Sequence, residues 1–277
     1  MNLTAACHTL SVSRSGYHAH LRKPQLKRRT QDAQLATEIH EAFNASHSTY
    51  GSPRLVQALR KKGLRHGKNR IARLMRQEQL QALQKRRFVP RTTVADKTAT
   101  PAPNHLLKRP APASLNEVWV TDITYLPTGE GWLYLAAEMD LHSRRILGWD
   151  TSASLAAALP LSALERALQA RNITPNGTLH HSDRGCQYTS HEFRRRLQLR
   201  GLTPSMSRTG NCYDNAAMES FWATLKTECF KHTVPATRAQ ARAMVFDYIE
   251  TFYNPVRLHS SLGFQSPACF EQSIQTN

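Results

Sequence analysis

Apolar positions recur at helical spacing in the first part of the chain and in short β-rich runs in the second. From about Thr30 to Asn44, Leu35, Ile39 and Phe43 stand four residues apart and predict a helix. Ser52 and Pro53 suit the cap and first turn of a second helix through Leu55, Val56 and Leu59. Gly63 and Gly67 bracket a turn, and a third helix is expected to begin near Asn69. Its Ile71, Leu74 and Met75 cluster on one side, with Asn69, Arg73 and Arg76 opposite. Two helices about a short glycine turn, the second with a basic outer face, predict a helix-turn-helix-like unit. Helical hairpins that never touch DNA share the same pattern.

From Lys85 to Glu117 the periodicity vanishes among Pro90, Pro101, Pro103, Pro110 and Pro112, which reads as an extended linker lying along DNA or along the core. Short apolar runs follow: Trp119–Tyr125, Trp132–Met139 and Ile146–Thr151, with Gly129-Glu130-Gly131 as a turn. Then come a helix at about Ser154–Ala170, a strand at Thr178–His181, a helix at His191–Arg200 and a strand at Thr203–Ser207. A long helix starts near Asp214 and another covers Arg238–Phe252. The expected divisions are a basic helical region over 1–84, a linker over 85–117 and an α/β core with its tail over 118–277. The order βββαβαβα fits a ribonuclease-H-like mixed sheet, and also other α/β sheets.

Charge sharpens this division. Residues 1–115 carry 22 of the 37 Lys/Arg and 5 of the 20 Asp/Glu, so the whole excess of +17 lies there. That asymmetry points to a segment that binds a polyanion, DNA above all. A merely basic, solubilising surface is the plainer alternative. The five cysteines (Cys7, Cys186, Cys212, Cys229, Cys269) include no closely spaced pair of the zinc or redox type. They fit a reduced cytoplasmic setting. No apolar stretch approaches the roughly 18 residues of a membrane span, and no signal pattern opens the chain. No membrane association is expected.

Three acids carry the candidate chemistry. Asp122 lies in Trp119-Val120-Thr121-Asp122-Ile123-Thr124-Tyr125, and Asp183 in His181-Ser182-Asp183-Arg184-Gly185. Glu219 follows Asp214-Asn215-Ala216-Ala217-Met218, and 35 residues separate it from Asp183. Brought together from two strand ends and a helix, they make a site for hard divalent cations, which take carboxylate oxygens plus substrate phosphates. Taken singly, Asp122 is a turn or cap residue and Asp183 a loop residue opening the next helix. Asp214 and Asn215 suit the cap of the Glu219 helix, whose Met218, Phe221, Trp222, Leu225 and Cys229 form a core stripe. Asn215, Glu219 and Lys226 project along one edge of that stripe, and Lys226 by itself reads as a solvated lysine. His180 and His181 are expected in structural roles, since oxygen ligands suit Mg²⁺ better than imidazole. Asn211, Asp214 and Asn215 sit where a loop would meet a DNA end. Tyr253, Asn254, Arg257 and His259 form a polar cluster that either contacts DNA or locks the tail to the core.

These acids and their spacing resemble the catalytic core of DDE transposases and retroviral integrases. A closer resemblance, over nearly the whole chain, is to the second-frame product of bacterial insertion sequences encoded in two overlapping frames. It is carried by Val12-Ser13-Arg14-Ser15-Gly16-Tyr17, Tyr50-Gly51-Ser52-Pro53-Arg54, Arg70-Ile71-Ala72-Arg73-Leu74-Met75, Asp140-Leu141-His142-Ser143-Arg144-Arg145-Ile146-Leu147-Gly148-Trp149 and Tyr253-Asn254-Pro255-Val256-Arg257-Leu258-His259. The resemblance implies a DDE-type polynucleotidyl transferase with Asp122, Asp183 and Glu219 as catalytic, metal-binding acids. It implies two Mg²⁺ or Mn²⁺ ions, and places Lys226 on a phosphate of the DNA end. The implied reaction is hydrolysis at the transposon end, which frees a 3′-hydroxyl, followed by attack of that hydroxyl on a second strand. Arg73, Arg76, Asn215 and Arg257 are the further expected DNA contacts. The partners implied are terminal-repeat and target DNA, a first-frame protein or a fusion with it, and further copies of this chain. The place of action is the bacterial cytoplasm, at the nucleoid. A nuclease that cuts without joining, and an inactive or regulatory DNA-binding remnant, are the alternatives.

Overall fold

The computed structural model describes residues 2–22, 25–83, 102–107, 109–171, 177–207, 215–231 and 233–275. The chain divides into two compact units, Met1–Ala82 and Leu83–Asn277. Asn211, Asp214 and most of the expected linker lie outside the described residues.

The first unit is helical: α1 (Leu3–Thr9), α2 (Arg14–Arg22), α3 (Gln25–Ala45), α4 (Ser52–Lys61) and α5 (Lys68–Gln77). The apolar stripes of α3, α4 and α5 bury against one another, with Ile39, Leu55, Leu59 and Ile71 fully enclosed. Helix α4 is capped by Gly51 rather than Ser52, and α5 by Gly67. The two first helices are short, and no apolar periodicity announced them.

Charges on α5 are divided between two roles. Arg70 and Arg73 both bind Asp32 of α3, Arg70 through Nη2 at 2.6 Å and Arg73 through Nη2 at 2.7 Å. Arg73 also donates to Gln77 Oε1 at 2.9 Å. The Arg73 guanidinium thus ties α5 to α3 while its side chain stays 37% exposed. Arg76 is exposed, and its Nε donates only within its own helix, to the Ala72 carbonyl.

The second unit is built on a five-stranded mixed sheet in the order β3-β2-β1-β4-β5. The strands are β1 (Val118–Thr128), β2 (Gly131–Asp140), β3 (Ile146–Ser152), β4 (Leu179–Ser182) and β5 (Thr203–Met206). The first three form an antiparallel meander, and β4 and β5 run parallel to β1. This is the mixed sheet expected of a ribonuclease-H-like core. The expected strand at Trp119–Tyr125 extends to Thr128, because β2 pairs with it along its full length.

One face of the sheet is covered by α6 (Ala158–Arg171), the short α7 (Cys186–Thr189) and α8 (His191–Leu199). Trp119, Leu164, Leu168, Tyr188, Phe193 and Leu197 make its core. Gly148 of β3 lies so close to α6 that a Cβ there would strike the backbone of Ala163 and Ala167. Helices α9 (Ala216–Cys229) and α10 (Arg238–Phe246) also pack on the sheet, burying Met218, Phe221, Leu225, Ala241 and Val245. Helix α10 passes into a π-helical stretch, Asp247–Tyr253, in place of the single helix expected to Phe252.

The tail is fastened by buried polar bonds. Asn254 pairs with Ile146 through both halves of its amide, each at 3.0 Å, in the manner of a strand residue. Glu271 of α11 (Pro267–Gln275) is 3% exposed and binds Arg171, Arg145 and Ser143. Upstream, the N–H of His105 donates to Ser205 Oγ at 3.0 Å and that of Met206 to the Pro103 carbonyl. The described end of the expected linker therefore runs along the core.

Candidate active site

The site forms where β1 loses a neighbour. Strands β1 and β4 pair only over Val118–Val120 with Leu179–His181. Asp183 stands as far beyond His181 as Asp122 stands beyond Val120, so the two acids continue one parallel register just past the last paired residues. Asp122 is thus the fifth residue of an eleven-residue strand, not a strand-end residue as expected. Its backbone pairs with Ala137 on one side, while its β4 side is left open.

Helix α9 occupies that open edge and is tied to successive β1 residues. Asn215 Nδ2 donates to the Thr121 carbonyl at 3.1 Å. Trp222 Nε1 donates to Asp122 Oδ2 at 3.0 Å. Lys226 Nζ lies 4.9 Å from the centre of the Tyr125 ring. Asn215 is buried and donates to the β1 backbone; at the N-cap position its side chain makes no capping bond. Glu219, one turn before Trp222, is exposed at this edge, and Lys226 is half-buried.

Electrostatics link the three acids. Burial, then the charge of Asp183, pushes the Asp122 carboxyl up to about 7; Glu219 adds a smaller push. Hydrogen bonds from the Ile123 N–H and the Trp222 indole act in the opposite sense. Burial also raises Glu219. Burial lowers Lys226, which the charge of Asp122 partly offsets. Asp183 Oδ1 accepts from the Gly185 N–H at 2.9 Å, which shapes the turn into α7.

This set fits a divalent cation on two counts: its donors are all carboxylate oxygens, and their mutual repulsion is what a bound cation relieves. Among the described residues, no three His, Cys, Asp or Glu side chains stand already closed around a metal position.

The histidines serve the sheet. His180 Nε2 meets Glu138 Oε2 at 3.0 Å with both side chains enclosed, and His181 Nδ1 meets Ser205 Oγ at 2.9 Å. Glu138 was legible only as a charged residue inside an apolar strand. Tyr188 was not anticipated either: its hydroxyl meets Thr121 Oγ at 3.3 Å, and burial with the charges of Asp122 and Asp183 raises its pKa. Trp222 had been read only as part of the core stripe.

Arg257 is 4% exposed, binds Glu228 through two bonds of 2.7 and 2.6 Å, and joins α9 to the tail.

Comparison with known proteins decides the family. An integrase core domain model matches residues 112–212 and a second integrase core domain model residues 200–267, while an HTH-like domain model matches 30–88. The chain is 40% identical to the transposase InsF for insertion sequence IS3A of Escherichia coli (strain K12), over 98% of this chain and 94% of that protein. The chain belongs to the IS3-family transposases. It is a DDE-type polynucleotidyl transferase, and its activity is DNA transposition. A relative of similar size, the insertion element IS600 uncharacterized 31 kDa protein of Shigella sonnei, is 42% identical over 96% of this transposase and 97% of its own length. The HTLV-2 integrase catalytic core domain in complex with magnesium is a structural neighbour at TM-score 0.44 and 15% identity, covering 56% of this chain and 95% of that one. No helix among the described residues is long and apolar enough to cross a membrane.

Proposed function

We propose that Asp122, Asp183 and Glu219 are the catalytic acids of this transposase and hold its divalent cations, two Mg²⁺ or Mn²⁺ ions. The observation that carries this is electrostatic: at the open edge of β1, Asp122 senses the charges of both other acids. Asp122, inside the eleven-residue β1, fixes the position of the site; Asp183 comes from the end of β4 and Glu219 from α9. When bound, the cations supply electrostatic stabilisation of charge developing on the attacking and leaving oxygens. Lys226 engages a backbone phosphate of the bound DNA end, leaving the Tyr125 ring when it does so. Trp222 and Asn215 keep α9 seated on β1, so that Glu219 faces Asp122 throughout both strand cleavage and joining.

The basic unit over residues 1–84 holds DNA largely through phosphates, with Arg76 among its contacts, and residues 118–277 form the core. The first-frame protein, or fusion with it, provides sequence-specific recognition of the terminal repeats, and several copies assemble on paired ends. Binding by this chain alone is weak and salt-sensitive. The work is done in the bacterial cytoplasm at the nucleoid.

The test uses pre-cleaved terminal-repeat duplex, Mg²⁺ and plasmid target. Asp122→Ala, Asp183→Ala and Glu219→Ala should each lower strand joining at least about 100-fold while leaving DNA binding within two-fold. A variant that joins strands at the parental rate would remove its residue from the site.

A further inference from the structure

Trp132 opens β2 and is half exposed, whereas Trp119, Trp149 and Trp222, the other tryptophans, are buried. Its ring meets Tyr125 edge-on, with centroids 5.0 Å apart and planes at 82°. The opposite flank of the assembly is cationic: Lys226 Nζ lies over the Tyr125 ring. Arg238, at the start of α10, donates from Nε to the Trp132 carbonyl at 3.1 Å. One cation thus lies over the Tyr125 ring, and a second holds the backbone of Trp132 beside it.

Folding alone does not account for this placement. A tryptophan left half in water forgoes much of the burial that usually keeps such a side chain inside. Trp132 belongs neither to the apolar cluster around Leu164 nor to that around Ala136. Tyr125 follows Asp122 by three residues of strand, about 10 Å along β1, so its ring lies on the other face from the Asp122 carboxyl; Lys226, which feels the charge of Asp122 and lies over the Tyr125 ring, bridges the two at the open edge. Aromatic faces flanked by cations are what single-stranded nucleic acid uses for sequence-tolerant binding, one base per ring.

We propose that Trp132 and Tyr125 form a stacking platform for an unpaired base of the DNA end, close to the phosphate on which the acids act. The platform rests on the site reading above, since its distance is measured from Asp122. Lys226 exchanges the Tyr125 ring for the phosphate next to that base, and the freed ring joins Trp132 in receiving it. Duplex DNA offers no free base face, so the platform favours ends that are frayed or carry an overhang.

The experiment is intrinsic tryptophan fluorescence of the full chain in EDTA, where no strand is cut. The probes are a short duplex with an unpaired oligothymidylate overhang and a blunt duplex of equal length. The overhang probe should quench the emission, and Trp132→Phe should abolish that quench while keeping the affinity within about three-fold. Trp132→Ala should weaken the overhang probe about ten-fold, the loss of one base stack, and the blunt probe by less than two-fold. A quench that survives in Trp132→Phe, equal quenching by both probes, or equal weakening of both by Trp132→Ala would each overturn the platform. The acids are tested separately: Asp122→Ala, which lacks only a carboxylate, should retain the quench and lose joining. Retained joining would sink the site reading without touching the fluorescence result.

Discussion

The indole N–H of Trp222 points at Oδ2 of Asp122, 3.0 Å away, so the Asp122 carboxyl is held by the same helix that carries Glu219. Oδ1 of that carboxylate accepts from the Ile123 N–H at 2.8 Å. The bond orients Asp122 and links two of the three acids mechanically.

Trp222→Phe keeps the ring packing and removes the donor. Its joining rate is expected to fall about ten- to a hundred-fold, the worth of one hydrogen bond to a charged group, with a higher Mg²⁺ concentration for half-maximal rate. Rates measured across a Mg²⁺ series check this; an unchanged half-maximal concentration contradicts a positioning role.

The raised Asp122 pKa has a definite sign in stability. The folded, cation-free protein holds this proton up to about pH 7, whereas an unfolded chain releases it near 3.8. Between those values the folded state binds more protons, so Asp122 makes stability fall as pH rises, and level off above the folded pKa. Asp122→Asn should remove this decline and raise the melting temperature in EDTA near neutral pH. Added Mg²⁺ should stabilise the parent and not the variant. Melting curves from about pH 4 to 8, read as the difference between the two proteins, provide the measurement.

Glu228 and Arg257 form an enclosed ion pair, 7% and 5% exposed at their side chains, to which the Tyr248 hydroxyl adds a bond of 2.8 Å. Arg257→Ala strands the carboxylate and should cost about 3–5 kcal/mol. Denaturant unfolding checks this. DNA affinity of the folded fraction should stay unchanged, which separates a tail lock from a DNA contact.

In the basic unit, the Asp32 clamp predicts an order of effects. Arg76→Ala should weaken DNA binding and reduce its salt slope by about one, and Arg73→Ala should do less of both. Binding isotherms over a range of salt concentrations test this; equal slopes for the two variants argue against the clamp.

Gly148→Ala places a methyl against the α6 backbone, where nothing flexible is available to yield. A loss of about 1–3 kcal/mol is expected, measurable as a lower unfolding midpoint with the far-ultraviolet spectrum intact.

Much of the fold was legible because it depends on local periodicity. The stripes of α3, α4 and α5, the runs that became β1 to β3, and the Met218–Leu225 stripe of α9 all bury the residues expected of them. Boundaries and partners were less legible. Asp122 was expected at a strand end, yet β2 keeps the strand going and only the shortness of β4 opens its other edge. The acids that bind Arg73 and Arg257 were not legible, because a cation's partner depends on where its acid lies in space. Asp32 is one helix-hairpin away and Glu228 sits on a different helix, so neither pairing leaves a local signature.

By itself, the sequence determined the elements, the basic charge of the first half, the spacing of the acids and, through its motifs, the transposase family. Those properties are local or additive along the chain, so they survive being read in one dimension. The tertiary structure decided which side chains share an environment. It placed Asp122 and Asp183 in one parallel register, laid α9 along the open edge of β1, and turned two arginines inward to acids. Charge interactions fall off over a few ångströms in space, and distances of that kind exist only once the sheet has closed.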